Sequence, residues 1–428
     1  MKASQAGIIL CAATIAVFGI STVVARDHTA PKPADTLTHQ ENDSLQKQVN
    51  EEKSAQTETF ESLDFLNKRI DEAQTRVRQD KAGENRVLIA GDASFAYTVS
   101  KGSPSSMSAG VAPLVLWRLG SGLLFEGAFD IGVSNDQSGS GVTGFDLTLA
   151  NLTYLLNDYV TLGAGLFVVP LGVHHNHFDP PWISPLTDDP LPFGDNGIAP
   201  GSGIGLFASG AVPLGKAAFN YFVYITNGPR LVTDDSTAAG TLNFNNFDDN
   251  NDGKTFGGRL GARPLPELEI GYSLQYGLVA PPGFGHVGAL LQGADMEYRR
   301  DVTVLRGQAD FRSELVFSNV DRATYGPSAS TPFAPLTFNN NRGGGYVQAA
   351  YRPWMVNDAF VRNLQMSFRY DWLYAPLEAP GGDRENRWSI GLNYWLRPTI
   401  VVKSSYEFDH ATVNPNSYAV VFLVGIGL

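Results

Sequence analysis

From about Arg86 to the C-terminus, apolar and polar residues alternate with a period of two. Between Glu267 and Tyr276, Leu268, Ile270, Tyr272, Leu274 and Tyr276 fall on one face and Glu267, Glu269, Ser273 and Gln275 on the other. Leu305 to Phe317 sets Leu305, Ala309, Phe311, Leu315 and Phe317 against Arg306, Gln308, Asp310, Arg312 and Glu314. Leu364 to Trp372 sets Leu364, Met366, Phe368, Tyr370 and Trp372 against Gln365, Ser367, Arg369 and Asp371. The last segment, Ser417 to Leu428, puts Tyr418, Val420, Phe422, Val424, Ile426 and Leu428 on one face. Strands of a soluble sandwich run to about five or six residues. These reach about ten or more, the length a tilted strand needs to cross a bilayer. One face suits lipid and the other water.

About 16 such strands fit between residue 86 and the end, an even number as expected of a bacterial single-chain barrel. Short turns are expected at Leu119 to Gly122, Leu156 to Tyr159, Pro213 to Lys216, Pro264 to Glu267, Tyr298 to Asp301 and Arg397-Pro398. Between them lie longer loops, notably Leu171 to Ser202, Asn227 to Asp252 and Asn319 to Gly343. With both termini periplasmic, the longest connections all face outward. Arg352 to Asn363 is the one connection too long for its side. The fold expected is all-β: a transmembrane antiparallel barrel over residues 86–428.

The pattern before the barrel is different. Leu45, Val49, Leu63, Leu66, Ile70, Ala73 and Val77 recur at heptad spacing, so residues 45–82 are expected to form a short periplasmic coiled-coil helix that seeks a partner. Residues 26–44, with Pro31, Pro33 and few apolar side chains, read as a flexible leader. Residues 1–25 carry Lys2, an apolar stretch from about Ala6 to Ile20 and a small-residue end at Ala25, the pattern of a cleaved signal peptide. Cys11 follows Leu10, which argues against lipid attachment there.

Composition removes several function classes. The formal charge of −12 argues against nucleic acid, whose phosphates need a surplus of Lys and Arg. Cys11 is the one cysteine, so the mature chain has no disulfide or thiolate metal site. Ser138-Gly139-Ser140-Gly141 lacks the leading glycine of a nucleophile elbow, and no phosphate loop, zinc-protease helix or dinucleotide fingerprint is present. No enzymatic activity and no obligate cofactor are expected.

Several blocks resemble the phosphate-selective porin family and its broader relatives. One runs Asn227-Gly228-Pro229, Asp248 to Lys254, Gly257 to Leu260 and Glu269 to Ser273; another runs Gly165 to Gly172, Pro180-Pro181-Trp182 and Pro190-Leu191. The resemblance implies a trimeric outer-membrane channel of about 16 strands for small hydrophilic solutes, in contact with outer-membrane lipid and narrowed by an inward-folded third loop. It does not by itself imply phosphate. Residues 171–215 contain no Lys or Arg, whereas anion capture needs a ladder of them.

The candidate constriction residues are His174, His175, His177, Asp179, Trp182, Asp188, Asp189 and Asp195, a set that leans toward cations. The candidate pore-lining residues are Glu126, Asp130, Arg306, Asp310, Arg312, Glu314, Arg369, Asp371, Lys403 and Glu407. They are open to two readings, opposed charge rows that orient dipolar solutes or wall charges that pair with one another. The three histidines match metal-ligand chemistry, a pH-sensitive gate or a plain polar loop. Asp248, Asn250 and Asp252 open like a calcium loop at the cell surface, although Arg259 stands where the closing Glu belongs. Two other functions stay open: a structural anchor tied to the cell wall or a partner through the coiled coil, and a transporter of hydrophobic solutes.

Overall fold

The computed structural model describes residues 86–135, 141–194, 197–215, 217–244, 251–282, 284–326 and 334–428. The expected signal peptide, leader and coiled coil lie outside the described residues, as do Asp195, Asp248 and Asn250.

Sixteen strands close into one antiparallel barrel. The first seven are β1 (Arg86–Ser100), β2 (Ser106–Arg118), β3 (Leu123–Asn135), β4 (Gly141–Asn157), β5 (Val160–Val168), β6 (Ser202–Leu214) and β7 (Ala217–Thr226). A small hairpin, β8 (Arg230–Leu231) with β9 (Leu242–Asn243), stands apart from the barrel sheet. The barrel continues with β10 (Thr255–Leu265), β11 (Leu268–Leu278), β12 (Gly288–Val302), β13 (Gly307–Tyr325) and β14 (Leu336–Arg352). It ends with β15 (Leu364–Tyr374), β16 (Arg384–Arg397), β17 (Ile400–Ala411) and β18 (Ser417–Gly427). Each barrel strand pairs with its predecessor in the ring. Closure is made by β1 on β18, with Asp92 opposite Gly427 and Ser100 opposite Ala419.

Closure and the two-faced strands together explain how such a chain lives in lipid. A sheet with no free edge satisfies its backbone hydrogen bonds internally, as a bilayer demands. The outward positions carry exposed Phe95, Phe145, Leu206, Leu260, Met366, Ile390 and Phe422, an apolar exterior that water would not tolerate over so large an area. Among the described residues no helix is long and apolar enough to cross a membrane; the crossing is made by strands. A closed barrel of even strand number with an apolar exterior is the architecture of the bacterial outer membrane, and the protein resides there.

The expected turns fall where the alternation breaks, with one correction. β12 runs on to Val302, so the turn expected at Tyr298 to Asp301 lies instead at Thr303 to Arg306, where a 3-10 turn closes through Arg306 N donating to Thr303 O at 3.0 Å. Arg306 takes a left-handed conformation at φ 53° and is exposed. It therefore lies off the strand, and the pore-lining place expected for it is not taken up. The alternation misled because Val302 and Val304 continue the apolar beat through the turn. The long connection after Arg352 is real and holds a second 3-10 turn, Val361–Asn363.

Candidate functional site

The described part of the connection between β5 and β6, residues 169–194 and 197–201, lies inside the barrel on the inward faces of β11 to β18. A buried loop must find partners for its backbone polar groups, and here the barrel wall supplies them. At its start Gly172 N donates to Ser273 Oγ at 3.1 Å, and Val173 N donates to Glu314 Oε2 at 2.8 Å. Tyr346 donates its hydroxyl proton to the other Glu314 oxygen at 2.6 Å. Gly172 sits at φ +84°, and a Cβ there would come within 2.0 Å of Glu314 Oε2, so only glycine admits this approach.

The middle of the loop is held in the same way. Lys403 donates to the carbonyls of Pro181 and Ser184. Ser367 Oγ and Asn393 Nδ2 both donate to Pro185 O at 2.8 Å. Trp182 lies over the backbone of β18, where a Cβ at Gly427 would approach its ring to 2.6 Å. At the tip, Arg369 donates to Asp188 Oδ2 at 2.5 Å and to Asp371 Oδ2 at 2.8 Å. Arg387 reaches the same Asp188 oxygen at 2.9 Å and Asp409 at 2.5 Å. Thr187 closes the row by donating to Glu407 Oε1 at 3.3 Å. Apolar contacts add to these bonds: Leu171, Phe193 and Ile198 of the loop join Leu291, Val316 and Tyr346 of the wall in one buried cluster. Arg312 stacks its guanidinium 3.6 Å above the ring of Phe178.

This seating changes the place of most of the expected pore-lining residues. Asp310, Arg312, Glu314, Arg369, Asp371, Lys403 and Glu407 do point inward, as the alternation predicts, but all are buried, Arg369 and Asp371 at 0 % exposure. They are held in pairs or by the loop rather than turned toward water. On this wall charges pair with one another. The same holds toward β10, where Arg259 bonds Asp295 at 2.6 Å and Glu269 at 3.2 Å, and Arg263 bonds Glu269 at 2.6 Å.

The histidines form a one-turn helix, α1 (His174–His177). His174 is buried against Phe193 and Tyr346 and is hydrogen-bonded to Asp189 Oδ1 at 3.0 Å. Burial is the largest influence on its imidazole and holds it below its ordinary range, with the Asp189 bond opposing only in part. His175 stands 3.7 Å from Asp179. His177 lies at the other end of the turn, and His174 faces Asp189 while His175 faces Asp179. Among the described residues no group of three or more His, Cys, Asp or Glu is gathered for a metal ion. Asp252 is exposed, and the adjacent turn is closed by Gly253 N donating to Asn251 Oδ1 at 2.7 Å.

The adjoining wall, β1 to β4, is built differently. Asp92 on β1 pairs across to Ala112 on β2; the β2–β3 register sets that level beside Asp130; and Asp130 stands directly opposite Asp146 on β4. Three aspartates therefore occupy one level of the wall, and Asp130 and Asp146 are exposed. Asp179, at the outer side of the loop with its side chain 60 % exposed, is close enough to act on Asp92 and Asp130 electrostatically. Glu126 lies further along β3, opposite Asn151. The only basic residues in β1 to β7 are Arg86 and Arg118, both at turn-side strand ends. Asp92, Asp146 and Arg387 were not among the residues singled out from sequence. The inward phase of Asp92 and the hairpin register that sets Asp371 opposite Arg387 are the signals that identify them.

No family model matches the chain, and no curated protein matches it. Solved structures do. OmpF of Salmonella typhi, in complex with daunomycin, is 11 % identical at a TM-score of 0.51, the match covering 80 % of this chain and 98 % of that one. An anion-selective porin from Comamonas acidovorans is 12 % identical at a TM-score of 0.49, covering 81 % and 100 %. The likeness to the first is one of fold: a porin-type barrel. The narrower resemblance to phosphate-selective porins has no counterpart among the family models.

Proposed function

We propose that the protein is a passive diffusion channel of the outer membrane for small hydrophilic solutes, narrowed by the β5–β6 loop and favouring cations. The observation that carries this reading is the asymmetry of the interior. The loop lies on the β11–β18 wall and engages its charges, while Asp92, Asp130 and Asp146 stand on the adjoining β1–β4 wall with Asp179 of the loop near them. A cation passing about 6 Å from one carboxylate in water gains roughly 0.7 kcal/mol, about threefold in local concentration. Several carboxylates in a confined, low-dielectric passage act together, and acidic rings are the usual means of selecting cations. In the loop, Asp188 is offset by Arg369 and Arg387 of the wall, while Asp179, with its side chain 60 % exposed and no Lys or Arg within residues 171–215, supports the same sign.

Homotrimeric assembly belongs to the same proposal, and cross-linking in mild detergent reads it. The decisive experiment is conductance of the purified protein in a planar bilayer under a potassium chloride gradient. The reversal potential is expected to have the sign of cation selectivity and to move toward zero in Asp130→Asn/Asp146→Asn. A folded protein without conductance ends the channel reading; anion selectivity, or a reversal potential unmoved by the double substitution, ends the assignment of charge.

A further inference from the structure

Next to the acidic wall, the inward face of β5 to β7 is aromatic. Phe167, Phe207, Phe222 and Tyr224 all point inward, and their rings touch in series: Phe167 to Phe207 at 4.7 Å, Phe207 to Phe222 at 4.8 Å and Phe222 to Tyr224 at 6.2 Å between centroids. The four differ in surroundings. Phe167 and Tyr224 are buried, and Tyr224 is fixed by donating its hydroxyl proton to Gln275 Oε1 at 2.8 Å. Phe207 and Phe222 are only partly buried and stack at 19°. A Cβ at Gly163 would come within 2.1 Å of the Phe207 ring, so that ring rests on bare backbone with a glycine beneath it. If filling space were the whole role, aliphatic side chains would serve; a stacked, partly exposed pair on a fixed base offers π-faces to whatever passes.

The charges around the pair settle which solute those faces suit. Across from Phe222 on β10 stands Arg259, but its guanidinium is bonded to Asp295 and Glu269, and with Arg263 on Glu269 the group of four carries no net charge, so no free base repels a cation there. Along the wall on the other side the register sets Phe207 level with Gly163, Thr153 and Leu124, so Glu126 is the carboxylate two residues along on β3, with Asp130 and Asp146 further on toward the loop. An aromatic face attracts a cation through its quadrupole and offers an apolar surface to a planar group, so acidic and aromatic walls side by side complement a solute that is both charged and aromatic.

We propose that Phe207 and Phe222 form a contact site for organic cations, with preference for those carrying an aryl group, on the wall that adjoins Glu126 and leads to the acidic row. The proposal rests on the channel reading above and refines it by naming a solute class.

Block of the potassium current by benzyltrimethylammonium and by tetramethylammonium tests it, since the two probes share charge and differ by the aryl group. Half-block is expected at a concentration about three- to fivefold lower for the aryl compound, the range of a partly exposed cation–π contact. Phe207→Leu/Phe222→Leu keeps apolar volume and removes the π-faces. It is expected to erase the preference while leaving unblocked conductance and heat-modifiable gel migration as in the wild type. Equal block by both probes in the wild type, or a preference that survives in the leucine variant, overturns the proposal without touching the channel reading. Should the leucine variant misfold, the single variants Phe207→Leu and Phe222→Leu are each expected to lower the preference, and a preference unchanged in both overturns it. A wild-type protein that folds and conducts nothing overturns both.

Discussion

The β1–β4 wall and the β11–β18 wall present the same kind of residue at the same inward positions and use it in opposite ways. On β13 to β17, Asp310, Arg312, Glu314, Arg369, Asp371, Arg387 and Glu407 are drawn into bonds with each other and with the loop laid over them. On β1 to β4, Asp92, Asp130 and Asp146 meet no basic side chain on their own or the neighbouring strands at that level, because Arg86 and Arg118 sit at the strand ends. An inward charge on a barrel strand thus has two fates: it becomes a structural contact where something packs on it, and it contributes to the field where nothing does. Composition alone does not separate these, since both walls are rich in carboxylates.

The largest effect is expected from breaking the packed wall. Arg369→Met leaves Asp188 and Asp371 without their guanidinium in a buried setting, where losing one partner of a buried ion pair costs about 3–5 kcal/mol. The loop tip should detach, with a lower midpoint of urea unfolding in detergent and noisier single-channel current. An unchanged midpoint would mean that Arg387 alone holds Asp188, and the two walls would then differ less than described.

A smaller loss is expected from Gly172→Ala. The substitution places a methyl group against the Glu314 carboxylate and strains a backbone at φ +84°, at a cost of about 1–3 kcal/mol. Proteolysis within the loop should quicken while barrel strands stay protected. Equal protection of loop and strands would show that the close approach at Gly172 is not needed.

The smallest effect is that of pH on His174. Its imidazole is held below the ordinary range by burial, so the folded loop binds a proton less readily than the unfolded chain. Its contribution to the seating is therefore complete above about pH 6.5 and is lost as pH falls from there through the lowered folded value. Neighbouring Asp189, His175 and Arg369 titrate or act on the same site, so the comparison is with His174→Gln: loop proteolysis in the wild type should rise between pH 7 and 5 more than in the variant. Parallel profiles would remove His174 from the account.

How far the sequence is legible depends on the range of the interaction. Alternation along β11, β13, β15 and β18 is a local property, and it correctly identified which side chains face inward, the number of strands and the connection that stays long on the turn side. It failed at Arg306, where two valines carried the beat through a turn. The signs of charge in the loop were equally visible, because the absence of Lys and Arg from 171–215 needs no structure to see.

A period of two is carried by neighbouring residues, and it is enough to specify a membrane barrel whose strands each have one lipid face and one interior face. Which interior charges are paired is set by the closed fold. Whether Arg369 meets Asp188 or Lys403 meets Pro181 depends on segments some two hundred residues apart being brought together when the sheet closes and the loop folds in. The aspartates of β1 to β4 stay apart from those pairs because the closed sheet brings no basic side chain to their level and the loop's hydrogen bonds run to β11 and β13 to β17.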